Sequence, residues 1–179
     1  RGNCFKHVFA DEGAAYEKVI EVDYSAISPM VSLPHTVDNV AAVDELEPIK
    51  INQVFIGTCT NGRLSDLALA ANILKGKKVP SSTRLVVIPA STKILMEAMS
   101  KGYVQDLLEA GATFSTPGCG PCLGAHQGII AAGEACITTS SRNFPGRMGS
   151  TDGEVYVASP ATVAASALKG QIWDPREFI

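Results

Sequence analysis

Two regimes of apolar and polar spacing follow one another along the chain. Up to about residue 50 the apolar positions are scattered. Lys18-Val19-Ile20-Glu21-Val22-Asp23 alternates well enough to predict an edge strand. Ser28-Pro29 and Leu33-Pro34 interrupt any longer element, and Ala41 to Pro48 is acidic and turn-like. Residues 1–50 therefore read as a linking arm and the end of a preceding region. From Asn52 the pattern sharpens. Val54-Phe55-Ile56 is a short apolar run closed by Gly57, a buried strand. Leu64, Leu67, Ala68, Ala71 and Leu74 recur at helical spacing before Lys75-Gly76. Arg84 to Ile88 predicts a second buried strand. Ser91 or Thr92 caps a helix carrying Ile94, Leu95, Ala98 and Met99, and Val104, Leu107 and Leu108 define another, ended by Gly111. Thr113-Phe114-Ser115 predicts a short strand, Leu123–Ala132 a helix, Ala135 to Thr139 and Glu154 to Val157 two further strands. Ser159-Pro160 opens a last helix running to Leu168, with Gly170 behind it.

Strands and helices thus take turns, and the strands are continuous apolar runs rather than alternating ones, as expected when both sheet faces are covered. The predicted fold class is α/β: a layered domain over 51–179 with a mainly parallel sheet and flanking helices. A length of 179 residues with 46% hydrophobic and 18% charged residues supports one substantial core and excludes a disordered chain. The net charge of −3 and the lack of a basic stripe argue against nucleic acid as a partner. No apolar run reaches the roughly 18 residues of a membrane span, so no membrane partner is expected. The chain opens on Arg1 with no secretory pattern, which reads as a piece of a longer protein. An odd set of five cysteines (Cys4, Cys59, Cys119, Cys122 and Cys136) points to a reducing compartment, with clustered thiols serving metal or redox chemistry.

Cys59 stands in Gly57-Thr58-Cys59-Thr60-Asn61-Gly62, between a predicted strand and helix. Cys119 and Cys122 stand in Pro117-Gly118-Cys119-Gly120-Pro121-Cys122, again after a strand. Open α/β sheets place ligands beyond the carboxyl ends of their strands, so these thiols can meet although far apart in sequence. Three thiolates without an evident fourth suit an iron–sulfur cluster with one open iron. A third loop, Ser140-Ser141-Arg142-Asn143-Phe144-Pro145-Gly146-Arg147, adds two permanent cations whose guanidinium forks match carboxylates. Together they suggest a small polycarboxylate substrate.

These segments, with Ser159-Pro160-x-Thr162-Val163, resemble the aconitase superfamily, and within it the large subunits of 3-isopropylmalate dehydratase and homoaconitase. The likeness is strong from Asn52 to Arg176. Leu33-Pro34-His35 and Asp38-Asn39-Val40 also fit. The resemblance implies an aconitase third-domain-like fold and a [4Fe-4S] cluster held by Cys59, Cys119 and Cys122. It implies substrate carboxylates held by Arg142 and Arg147, with Asn61 and Ser141 supporting the cluster loops. Many relatives carry Asn at the position of Ser141, whose hydroxyl can still donate to a sulfide but reaches less far. The implied activity is hydro-lyase isomerisation of 2-isopropylmalate to 3-isopropylmalate in leucine biosynthesis, in the cytoplasm, on a small 2-hydroxy polycarboxylate; homoaconitase is the alternative. No catalytic acid or base is assigned within this chain. The resemblance places those groups on missing upstream domains of the same protein and on a small subunit carrying the swivelling domain, so this chain alone is expected to be inactive.

A different class competes. Cys119-Gly120-Pro121-Cys122 has the letters of a thioredoxin-like disulfide oxidoreductase site, but no Trp precedes it and it comes late in the chain. A structural zinc module using His126 is a poorer match in spacing. Cys4 and Cys136 read as ordinary thiols, and His7, His35 and His126 as structural or exposed. The cluster reading further expects the three sulfurs to face one cavity.

Overall fold

The computed structural model describes residues 6–179; the reading of Cys4 lies outside them. Its strands are β1 (Met30–Ser32), β2 (Val40–Ala42), β3 (Gln53–Ile56), β4 (Arg84–Val87), β5 (Ala112–Phe114), β6 (Ala135–Thr138) and β7 (Glu154–Ala158). Its helices are α1 (Leu64–Leu74), α2 (Thr92–Ser100), α3 (Tyr103–Ala110) and α4 (Pro160–Lys169). The strands form one sheet in the order β2-β1-β7-β6-β3-β4-β5. β7, β6, β3, β4 and β5 run parallel. β1 joins β7 antiparallel, and β2 joins β1 antiparallel.

Both faces of the sheet are covered, but by different means. Alternate residues Val54, Ile56, Leu85, Val87, Ile137 and Tyr156 meet Leu67, Leu74, Leu107, Val163 and Ala167 in a helix-side core. On this side α1 packs against α2, α3 and α4, and α2 packs against α3. On the other side Phe55, Val86, Cys136 and Val155 are covered by Ile88, Ile130 and Met148, which come from connections rather than helices. Burying each such large side chain contributes about 1.5–3 kcal/mol, so most of the apolar stabilisation sits on the helical side.

The helix ends follow local chemistry. The Ser91 side chain accepts from the Ile94 N–H at the start of α2, and the Ser159 side chain accepts from Thr162 N–H at the start of α4. Asp66 accepts from Arg63 N–H at 3.0 Å to fasten the start of α1.

Three sequence expectations change. Residues 18–23 form no strand; Val19, Ile20 and Val22 are exposed, because alternation alone does not supply an edge to pair with. Within the stretch read as an arm, β1 and β2 extend the sheet, and Val31 is fully buried. No α-helix occupies 123–132. A four-residue 3-10 turn, Gly120–Leu123, ends at Gly124, and both Gly124 and Gly128 adopt left-handed backbone, which interrupts helical propagation.

Candidate functional site

β3 leads through α1 to β4 and then to β5 on one side, while β6 and β7 lie on the other. The loops leaving β3 and β6 therefore part company at the carboxyl edge. This is the switch point at which open α/β sheets form ligand crevices. The loop after β3 carries Cys59; the loop after β6 carries Ser141, Arg142 and Arg147.

The two loops are laced together. Gly57 N–H donates to Thr139 Oγ1 at 3.0 Å, and Thr139 Oγ1 donates to Gly57 O at 3.1 Å. Asn61 Nδ2 donates to Thr139 O at 2.6 Å. Asn61 thus ties the Cys59 loop to the arginine loop. The Cys59 loop also wraps the end of β4. A Cβ built on Gly57 would lie 2.7 Å from the Ile88 carbonyl oxygen, and one on Gly62 would lie 2.8 Å from the same atom. Between them Thr58 has φ +86°, a strained value for a β-branched residue. Its hydroxyl accepts from Asn61 N–H at 3.1 Å. Cys59 is the next residue and is exposed.

Cys119 and Cys122 leave β5 and bracket the 3-10 turn. Cys119 is exposed and lines a cavity of about 280 Å³ with Ile88, Ser115, Thr116 and His126. Cys59 and Cys122 are not in its wall. Gly120, with φ +52°, turns the chain between the two cysteines. Cys122 is half-buried against the Phe55–Met148 cluster, where Arg147 Nη2 donates to its sulfur at 3.5 Å. The three thiols therefore come from loops at one sheet edge, and the cavity beside Cys119 takes in neither of the other two. Among the described residues, no three His, Cys, Asp or Glu side chains converge to hold a single metal ion. This geometry does not form the mononuclear zinc site weighed from the sequence. The turn between Cys119 and Cys122 also lacks the long helix whose N-terminus activates a thioredoxin-type thiolate.

The arginines divide. Arg147 packs over the Phe144 ring, its Cζ 5.6 Å from the centroid, and its Nε is buried without a hydrogen-bond partner. Arg142 is exposed and lines a separate cleft of about 320 Å³ with His35, Thr36, Val37, Ser141, Asn143 and Phe144. Asn143 is buried; its Nδ2 donates to Leu33 O at 2.8 Å and Thr36 O at 3.4 Å, stitching the β1–β2 turn to the arginine loop. Its role was not visible in the sequence, since its partners lie about 110 residues away. His35, read as structural, belongs to the wall of this cleft.

The donor chemistry separates the thiols further. Cys136 is fully buried in β6, and burial pushes its thiol up to about 12, against a weaker opposing hydrogen bond from Gln53. It stays protonated and unsuited to metal. Cys59, Cys119 and Cys122 are free thiols on the carboxyl-edge loops. This donor set suits a cluster whose irons each take a separate thiolate.

Residues 44–170 match the family model described as Aconitase family (aconitate hydratase). The 3-isopropylmalate dehydratase large subunit 2 of Archaeoglobus fulgidus is 58% identical over 179 residues, covering 100% of this chain and 43% of that protein. The 3-isopropylmalate dehydratase large subunit of Elusimicrobium minutum is 56% identical over the same 100% of the chain and 43% of its own length. The homoaconitase large subunit of Thermus thermophilus is 52% identical over 171 residues, 96% of this chain and 41% of that protein. The chain spans less than half the length of these relatives.

Proposed function

The chain belongs to the aconitase family, and from that premise we propose that it is the cluster-bearing part of a hydro-lyase large subunit. The proposed reaction is isomerisation of 2-isopropylmalate to 3-isopropylmalate by dehydration and rehydration, within leucine biosynthesis in the cytoplasm. The observation that carries the reading is the lacing of the Cys59 loop to the arginine loop at the switch point, through Asn61, Gly57 and Thr139. Thiol donors and carboxylate-binding cations are thereby held at one edge of a rigid sheet.

In this reading Cys59, Cys119 and Cys122 hold a [4Fe-4S] cluster. When bound, the cluster supplies a Lewis-acidic iron toward the substrate hydroxyl. Arg142 presents a fixed cation to a substrate carboxylate. Arg147 turns one nitrogen to the Cys122 sulfur and keeps its buried Nε free for a second acceptor. Asn61 sets the spacing of the two loops, and Ser141 offers a hydroxyl beside Arg142. Proton abstraction next to a carboxylate needs a positioned base. We assign it to a small subunit carrying the swivelling domain, with acid groups on upstream domains of the same protein. The names of the relatives as large subunits support such a partner.

The test is metal analysis with assay of the complete enzyme. After anaerobic reconstitution, Cys59→Ser, Cys119→Ser and Cys122→Ser should each lose iron and acid-labile sulfide, while Cys136→Ala keeps both. Full iron and sulfide in all three serine variants would remove these residues as ligands. A second reading, homoaconitase, is favoured by two relatives so named at 55% and 52% identity. Turnover of a substrate bearing a carboxylate branch in preference to isopropyl would select it.

A further inference from the structure

The turn between Cys119 and Cys122 has no helix to hold it, and the chain seats it from the far end of the sheet. The connection from β5 to β6 crosses the loop-side face, because β6, parallel to β3, must begin at the amino edge. Three polar side chains stand at that edge: Gln53 opens β3, Arg84 opens β4 and Glu134 precedes β6. Gln53 is fully buried, with both ends of its amide engaged. Its Nε2 donates to Gly128 O at 2.5 Å and to Cys136 Sγ at 3.9 Å, while its Oε1 accepts from Arg84 Nε at 3.1 Å. The amide has one workable orientation. Turned over, it would set its oxygen against Gly128 O and its NH2 against the Arg84 N–H. Arg84 is fixed in turn, Nη1 and Nη2 donating to the Glu134 carboxylate at 2.8 and 2.7 Å. Glu134 Oε2 also accepts from Ala131 N–H at 2.9 Å, so the relay closes on the same connection that it holds.

Gly128 lies against the middle of the cysteine turn. A Cβ built on it would sit 3.5 Å from Pro121 Cγ and 3.6 Å from Pro121 Cβ. Pro121 is buried and adjoins Cys122, whose side chain packs on the same cluster as Cys136. Holding Gly128 down therefore holds Pro121 down and, through it, Cys122. Lifting Gly128 would leave its carbonyl and the buried amide of Gln53 unpaired, which costs more than the bond alone contributes. We propose that Gln53 is a positioning residue for the cysteine turn: through Gly128 and Pro121 it fixes Cys122 where a cluster ligand is needed, and Arg84 and Glu134 orient its amide. The inference rests on the cluster reading above and deepens it. It gives the amino edge of the sheet, at the opposite end from the thiols, a part in building the site. The Cys59 loop stands outside this relay, tied by Asn61 and Gly57 to Thr139.

The experiment uses the complete large subunit with its small subunit. In the cluster-free enzyme, alkylation rates of Cys59 and Cys122 are read separately by peptide mass spectrometry. In the anaerobically reconstituted enzyme, iron release to a chelator is timed. Gln53→Met keeps the length of the side chain and removes its hydrogen bonds. It should raise the Cys122 rate about fivefold, the factor that the net contribution of one hydrogen bond makes in a local opening equilibrium. Iron release should quicken by a similar factor, with the Cys59 rate unchanged. Glu134→Gln, at the partly exposed end of the relay, should move Cys122 the same way by a smaller factor, and it carries the test should Gln53→Met not fold. Ile73→Val, in the helix-side core, should lower Tm yet keep the wild-type ratio of the Cys122 and Cys59 rates. An unchanged ratio in the relay variants, or an equal rise at Cys59, overturns the positioning role and leaves the cluster reading standing. A selective rise at Cys122, where wild type takes up neither iron nor sulfide, supports the seating of the turn by Gln53 and overturns the cluster reading. Absence of both overturns both.

Discussion

Replacing Gly57 by Ala tests the close fit of the Cys59 loop on β4. The added methyl would lie 2.7 Å from Ile88 O and 2.8 and 2.9 Å from the Cε2 and Cζ atoms of Phe55. Neither neighbour yields easily. Ile88 N–H donates to Ile56 O at 2.9 Å, which fixes that backbone against β3. The Phe55 ring is fully buried in the loop-side cluster. Overpacking of a filled core costs about 1–3 kcal/mol, and contact with backbone as well as a buried ring places this case at about 2–3. For a protein of this size that corresponds to a Tm lower by roughly 4–12 °C. Gly118→Ala is the matched control, because its Cβ would meet nothing nearer than Thr116 O at 3.9 Å; it should stay within about 0.5 kcal/mol of wild type. Urea unfolding followed by far-ultraviolet circular dichroism gives both values, with a lower midpoint at constant m for Gly57→Ala. A Gly57→Ala midpoint indistinguishable from that of Gly118→Ala would refute the close approach and, with it, the account of how the loop is seated.

Peptide-resolved thiol alkylation of the metal-free native protein at pH 8 should modify Cys59 and Cys119 first, Cys122 more slowly, and Cys136 only after unfolding; early labelling of Cys136 would contradict its burial. Glu134 is held below the usual carboxylate range, first by the Arg84 guanidinium, whose paired nitrogens lie 2.8 and 2.7 Å away, and then by Ala131 N–H. Its folded pKa is depressed, so its contribution is present above the unfolded value and lost as pH falls through the folded one. Glu134→Gln should therefore lower stability at pH 7 by up to about 1 kcal/mol for this partly exposed pair, and the difference from wild type should vanish in acid; a constant difference across pH would contradict the assignment. Arg142→Lys in the complete enzyme should reduce kcat/KM tenfold or more with little change in Tm, because lysine cannot reproduce a two-pronged contact; unchanged kinetics would remove it from the site.

The helical layer was legible because its signals are local. Ser91, Gly111 and Ser159 mark ends that the backbone obeys, and the apolar runs at Val54–Ile56 and Arg84–Ile88 are strands. The loop-side layer was not, because its order comes from contacts distant in sequence. Leu123–Ala132 has helix-forming letters, yet Gly124 and Gly128 take left-handed backbone there. β1 and β2 owe their existence to β7, and no property of residues 30–42 alone announces that pairing. The cysteine and arginine motifs place the candidate chemistry on loops that follow β3, β5 and β6. They could not indicate that Cys119 and Cys122 face different surroundings, or that His35 joins Arg142 in one cleft.

The one-sided placement of the helices has a consequence for how this domain can change over generations. The residues that fasten α1, α3 and α4 to the sheet point away from the loops that carry Cys59, Cys119, Arg142 and Arg147. A substitution in Val37 or Phe144 alters a half-exposed surface and leaves the helix-side core untouched. The proposed site and the helix-side core are thus encoded by largely separate sets of positions. A lineage can vary the loop layer while purifying selection on the helical layer continues unchanged. The exception is the Gly57–Gly62 loop, where the seat of a proposed ligand and the packing of β4 are the same atoms, and where tolerance to replacement should be least.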